Sequence, residues 1–112
     1  MILNANPNLE NNFFSKNIKK KISQVINSGR YILGKEVKKF EKEFAKFIGS
    51  KYSVGVNSGT DALIIALKTL GISNGDEVII PSISASATAI AVKNVGAKVI
   101  YADLELDTYN VS

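Results

Sequence analysis

Ser58, Gly59 and Thr60 are three small residues, two of them hydroxyl-bearing. They stand between the alternating run Tyr52-Ser53-Val54-Gly55-Val56 and the apolar series Ala62-Leu63-Ile64-Ile65-Ala66-Leu67. Where a strand hands over to a helix, the helix presents unpaired amides and the positive end of its dipole. Glycine lets a ligand approach the backbone closely and hydroxyls add further hydrogen bonds, so this turn is a candidate anion site. It is neither a Walker A loop nor the Gly-x-Gly-x-x-Gly dinucleotide fingerprint, because the required glycines and lysine are missing at those spacings. The plainer reading is that Ser58 caps a helix and Gly59 eases a tight turn; residues 57–60 alone leave both open.

Other chemistry is narrowed by what the chain lacks. With no cysteine there are no disulfides or thiolate metal sites, and with no histidine there is no imidazole base, Ser-His-Asp triad or histidine ligand. Lysines, carboxylates, hydroxyls, backbone amides or a cofactor must carry any reaction, and no metal site is expected. The chain has 112 residues, 46% hydrophobic and 21% charged, the range of one small soluble domain or part of a larger one. Its longest apolar run is far short of a membrane span, and MILNANPNLENNFF lacks the basic start and apolar core of a secretory signal. A cytoplasmic protein with no membrane partner is the expectation. The net charge of +4 divides into +8 over residues 16–51, −3 over 52–112, and −1 from Glu10. The lysines fall on polar faces of amphipathic helices with little aromatic interleaving, which reads as a solvated face and not a nucleic-acid surface.

The elements that must position the turn follow from periodicity. Residues 1–14 show none and are rich in Asn, so a loosely held arm is expected there. Ser15 is a candidate N-cap for a helix with Ile18, Ile22, Val25 and Ile26 on one face, stopped by Gly29. A second amphipathic helix is expected over 35–48, with Val37, Phe40, Phe44, Phe47 and Ile48 on one face and Gly49 closing it. From Tyr52 the pattern becomes strand (52–56), helix (60–70), strand (77–80, stopped by Pro81), helix (85–95) and strand (98–102). The first of these helices is apolar nearly all round, so burial on more than one side is expected. Asn74-Gly75-Asp76 is a strong turn signal. The fold class is therefore α/β: N-terminal helices, then a βαβαβ piece with a parallel sheet and right-handed crossovers. Residues 1–14, 15–50 and 51–112 are the expected arm, helical segment and first part of an α/β domain. Residues 104–112 carry no clear element, and three parallel strands leave exposed edges and faces, as in a domain cut partway through.

From about Ser28 to Ser112 the sequence resembles the N-terminal part of the DegT/StrS-type sugar aminotransferases. These are pyridoxal-phosphate (PLP) enzymes of the aspartate aminotransferase fold, fold type I. The resemblance rests on Gly-x-x-x-x-Gly over 29–34 ahead of the Phe40-Glu41 helix, Ser58-Gly59-Thr60-Asp61-Ala62-Leu63, and Gly75-Asp76-Glu77-Val78-Ile79-x-Pro81. It continues through the Ala87-Thr88 helix and Gly96-Ala97 with Asp103, ending in Asp107-Thr108-Tyr109. Each piece is weak alone; in order and at the family's spacing they are specific.

The resemblance implies that Gly59 and Thr60 hold the PLP phosphate, with Ser58 sharing the turn. It implies that the segment Pro81–Thr88 lies beside the cofactor ring. Ala85 stands where an aromatic residue is frequent, a departure that leaves Ile83 as the candidate apolar wall. Small residues there would equally let the helix pack close to the sheet. Tyr31 and Gly34 fall in the segment near the substrate entrance, although Lys35 replaces a usual proline; a plain interhelix turn is the alternative. Asp61 is either an ionic contact or an acid complementing the helix dipole, and Asp103 reads as a loop or cap residue.

The reaction implied is amino transfer, usually from glutamate, to a keto group on a nucleotide-linked deoxysugar for polysaccharide or glycoconjugate synthesis, by a homodimer. That chemistry needs a Schiff-base lysine and a carboxylate on the pyridine nitrogen, which the family supplies from beyond the position of Ser112. Lys68, Lys93 and Lys98 do not match that lysine, so the 112 residues alone are expected to be inactive. Two alternatives stand beside the aminotransferase: a PLP-dependent sugar dehydratase of the same family, and an inert truncated piece kept for binding or dimerisation.

Overall fold

The computed structural model describes residues 7–112. They form two compact units, one ending at Gly55 and the other running Val56–Ser112. In the first, α1 spans Pro7–Ser28 and α2 spans Lys35–Ile48. The expected arm over 1–14 is helical from Pro7 onward, and residues 1–6 lie outside the described residues. Ser15 accordingly sits inside α1, where its hydroxyl donates to the Asn12 carbonyl at 3.2 Å, and is not an N-cap. Two features account for the earlier start. Phe14 extends the four-residue spacing of Ile18 and Ile22 one turn back, and a proline is tolerated at a first helical position because its missing N–H has no intrahelical partner there.

Both helices end as their glycines foretell. Gly29 adopts φ 64° after α1. After α2, Gly49 at φ 73° donates to the Lys46 carbonyl at 3.3 Å and Ser50 to the Ala45 carbonyl at 2.9 Å, the paired bonds of a Schellman motif. Phe40 and Phe44 stack with ring centroids 5.6 Å apart.

The second unit contains α3 (Gly59–Thr69), β1 (Glu77–Pro81), α4 (Ser86–Asn94) and β2 (Lys98–Ala102). β1 and β2 pair in parallel from Glu77↔Lys98 to Pro81↔Ala102, with α4 as the crossover. Ile80, Val92 and Ala97 form the core, covered by Leu67, Ile72, Val78, Ala89, Val95 and Val99. Pro81 does not stop the ladder. The Ser82 amide donates to the Ala102 carbonyl at 2.9 Å, so the nitrogen of Pro81 points to the opposite edge, where a missing N–H breaks nothing. The Asn74-Gly75 turn forms as expected. Gly75 lies at φ 97°, and the Asp76 carboxylate accepts the Ser73 amide at 2.8 Å.

Three expectations are corrected. Residues 52–56 are not a strand: the sheet has two strands, and a segment becomes a strand only by finding a ladder partner. α3 is not buried on several sides; it has no buried residue, and Leu63 and Ile65 are 41% and 51% exposed. Its neighbour in the unit is α4, so one face of an all-round apolar helix is covered. Residues 104–112, expected to lack structure, close a small antiparallel bridge between Leu104 and Val111.

Candidate functional site

The start of α3 is built by Ser58. Its extended backbone (φ −154°, ψ 159°) turns the chain into the helix, and its carbonyl accepts the Ala62 amide at 3.0 Å. The Ser58 hydroxyl accepts the Asp61 amide at 3.1 Å and donates to the Asp61 carboxylate at 2.5 Å. Both capacities of the hydroxyl are thus used locally, which is the capping reading of Ser58. Asp61 likewise serves the helix end, placing an acid in the first turn where the dipole favours it.

Gly59 and Thr60 come before the first intrahelical donor, the Ala62 amide, so their own amides have no acceptor within the helix and point out of its end. A Cβ built on Gly59 meets nothing within 4 Å. That space adjoins two outward amides, and Thr60 adds a half-buried hydroxyl. A phosphate group fits this donor set: amides and a hydroxyl at a dipole's positive end, with no side chain in front of the glycine.

Ile83 and Ala85 follow β1. Ile83 is 76% exposed, and Ala85 is the N-cap of α4 with no side-chain cap bond. The hydroxyls of Ser84 and Thr88 lie 3.0 Å apart across that helix start. α3 packs on α4, so the helices that follow the two turns are neighbours; among the described residues no hydrogen bond joins 58–60 to Ile83 or Ala85.

Tyr31 and Gly34 belong to the helical unit, in the loop between α1 and α2. Tyr31 donates its hydroxyl to the Ile26 carbonyl at 3.1 Å. Gly34 is the N-cap of α2, and a Cβ there would come within 3.1 Å of the Arg30 carbonyl oxygen, a close approach that favours glycine. With Val25, Ser28, Arg30 and Val37 they line a cavity of about 250 Å³. Lys68 and Lys93 occupy the last turns of α3 and α4, and Lys98 opens β2 against Glu77 at 2.7 Å. One contact escaped the sequence reading. Glu41 accepts the Gly55 amide at 2.8 Å, a pairing across fourteen residues that no local pattern announces.

Residues 13–112 match the DegT/DnrJ/EryC1/StrS aminotransferase family. The dTDP-3-amino-3,6-dideoxy-alpha-D-galactopyranose transaminase of Aneurinibacillus thermoaerophilus is 40% identical over 98 residues, which is 88% of this chain and 27% of the relative. Among solved structures, a DegT DnrJ EryC1 StrS aminotransferase from Brucella abortus superposes with a TM-score of 0.95 at 35% identity, covering 100% of this chain and 30% of that one. A GDP-4-keto-6-deoxymannose-3-dehydratase with a trapped PLP-glutamate geminal diamine gives 0.76 at 34% identity, covering 84% and 26%. The chain thus spans between a quarter and a third of the length of these relatives. The α/β class read from the sequence is that of these proteins.

Proposed function

The chain belongs to the DegT/DnrJ/EryC1/StrS aminotransferase family, and we propose that it is the phosphate-holding front of a PLP-dependent enzyme that aminates a nucleotide-linked keto-deoxysugar. The observation that carries this reading is the start of α3, where Gly59 and Thr60 present outward amides beside open space. PLP, when bound, supplies the electron sink that lets an amino group pass between donor and acceptor. The chain's own part is to bind and orient. Gly59 and Thr60 would hold the phosphate, Ser58 fixes the turn by capping it, and Ile83 with Ala85 would border the ring. Tyr31 and Gly34 are proposed to border the sugar substrate. Glutamate is the proposed amino donor, a cytoplasmic homodimer the proposed working form, and amino-sugar synthesis for polysaccharide or glycoconjugate the proposed purpose.

Lys68, Lys93 and Lys98 sit at helix ends and a strand start, which supports the reading that none of them carries the covalent step. The 112 residues by themselves are therefore proposed to bind without turnover. The likeness to a dehydratase supplies a second reading, and one assay separates the two. The enzyme carrying this chain, given glutamate and a nucleotide-linked keto sugar, should yield an amino sugar and 2-oxoglutarate in equal amounts. Loss of a sugar hydroxyl without nitrogen gain would establish the dehydratase instead.

A further inference from the structure

We propose that the cavity between the end of α1 and the start of α2 takes the sugar-phosphate part of a nucleotide-linked sugar, with Arg30 and Lys35 holding the phosphate. This role rests on the sugar-bordering reading of Tyr31 and Gly34 above.

Three observations support the role. The cavity lies wholly within the helical unit and measures about 250 Å³. That is just below the ~300–1,000 Å³ of pockets for drug-sized ligands, a size for one ring and its substituent and not for a whole nucleotide sugar. Second, the lining is divided in chemistry. Val25, Val37 and Tyr31 offer apolar surface to the C–H face of a pyranose, while Arg30 and Lys35 bring two cations against one acid, Glu36. Arg30 and Lys35 are exposed, and among the described residues neither forms an ion pair; the pairs present are Lys39–Glu43 and Lys98–Glu77. Two unspent cations beside an apolar wall suit an anion joined to a ring, since guanidinium and ammonium groups both bind phosphate through charge-assisted hydrogen bonds. Glu36, likewise outside any ion pair, can accept a sugar hydroxyl. Third, the wall is fixed before a ligand arrives. The Ser28 hydroxyl donates to the Val25 carbonyl at 2.7 Å and accepts the Arg30 amide at 3.2 Å, and the Tyr31 hydroxyl donates to the Ile26 carbonyl at 3.1 Å. Between Tyr31 and Gly34, Leu33 is held at φ 49°, uncommon for a residue with a side chain. A loop so constrained loses little further freedom on binding.

The test uses the full chain labelled with ¹⁵N and titrated with UDP-glucose, UDP and glucose, read at the amides of Tyr31 and Gly34. UDP-glucose should give saturable shifts at both. Arg30→Gln and Lys35→Gln should each raise its dissociation constant about 3–5-fold, the scale of one exposed charge contact, and leave that of glucose unchanged. The unmodified chain should prefer UDP-glucose to glucose at least about tenfold, two such contacts together. Unchanged UDP-glucose affinity in both variants, or equal affinity for glucose and UDP-glucose, overturns the phosphate role and leaves the sugar border standing. UDP binding as tightly as UDP-glucose would mean a phosphate site with no place for the sugar, and overturns the assignment. No shift with UDP-glucose overturns both the role and the reading of Tyr31 and Gly34. Amination has its own readout in the yield of amino sugar, so a failure of that reaction is told apart from a failure of this cavity.

Discussion

Ser58 and Asp61 hold each other at the first turn of α3: the hydroxyl takes the Asp61 amide at 3.1 Å and gives its proton to the Asp61 carboxylate at 2.5 Å. The arrangement resembles a capping box in which the acid returns to the cap's hydroxyl and not to its amide. It leaves the Gly59 and Thr60 amides as the donors available to an anion. Ser58 is thus better placed to shape the turn than to bind through its side chain.

Removing the cap should cost stability before it costs binding. Ser58→Ala is expected to lower unfolding free energy by about 1 kcal/mol, and Ser58→Gly by only a few tenths. Urea denaturation followed by circular dichroism measures both, and equal effects would remove the cap from the account.

Gly59 gives the opposite pattern. Its added Cβ meets nothing within 4 Å, so Gly59→Val should leave stability within about 0.5 kcal/mol, the range of an uncrowded surface change. Phosphate binding should weaken at least about tenfold, because the side chain fills the space an anion would take. Calorimetric titration with phosphate beside a melting curve reads the two effects separately.

The core of the second unit is small and should be sensitive. Val92 is 2% exposed against Ile80 and Ala97, and Val92→Ala should cost about 2 kcal/mol through lost burial and a cavity. Ile65, half exposed on α3, should lose well under that when truncated to Ala. Comparable losses from the two would mean that α3 buries a second face.

The Lys98–Glu77 pair joins register partners of β2 and β1 at 2.7 Å, with side chains 69% and 57% exposed. Exposed pairs contribute about 0–1 kcal/mol. Lys98→Ala should accordingly shift unfolding by less than about 0.5 kcal/mol, and less still in 1 M salt, where screening is nearly complete.

The elements legible in the sequence were those whose signal is local. Gly49, the Asn74-Gly75 turn, the runs 77–80 and 98–102, and the small-residue helix between them need only their own neighbours in the chain. The misreadings are of two kinds. Asn-rich composition hid the start of α1, although the spacing from Phe14 to Ile18 carried it. The alternation of 52–56 predicts a strand, yet a β pattern says nothing about whether a partner is present. Burial of α3 failed for the same reason, since hydrophobicity announces a need for cover and not its source. In the site, the turn at 58–60 was visible from residue types and spacing. The Glu41–Gly55 bond was not, because side-chain contacts across fourteen residues leave no periodic trace.

The central claim is that residues 58–60 hold the phosphate of PLP. It is tested most directly by comparing binding of PLP and of phosphate-free pyridoxal to the full chain and to Gly59→Val, by equilibrium dialysis. The account predicts that the unmodified chain prefers PLP at least about tenfold, the value of one or two charge-assisted bonds, and that Gly59→Val erases the preference. Equal affinity for the two ligands in the unmodified chain, or an undiminished preference in Gly59→Val, would contradict it.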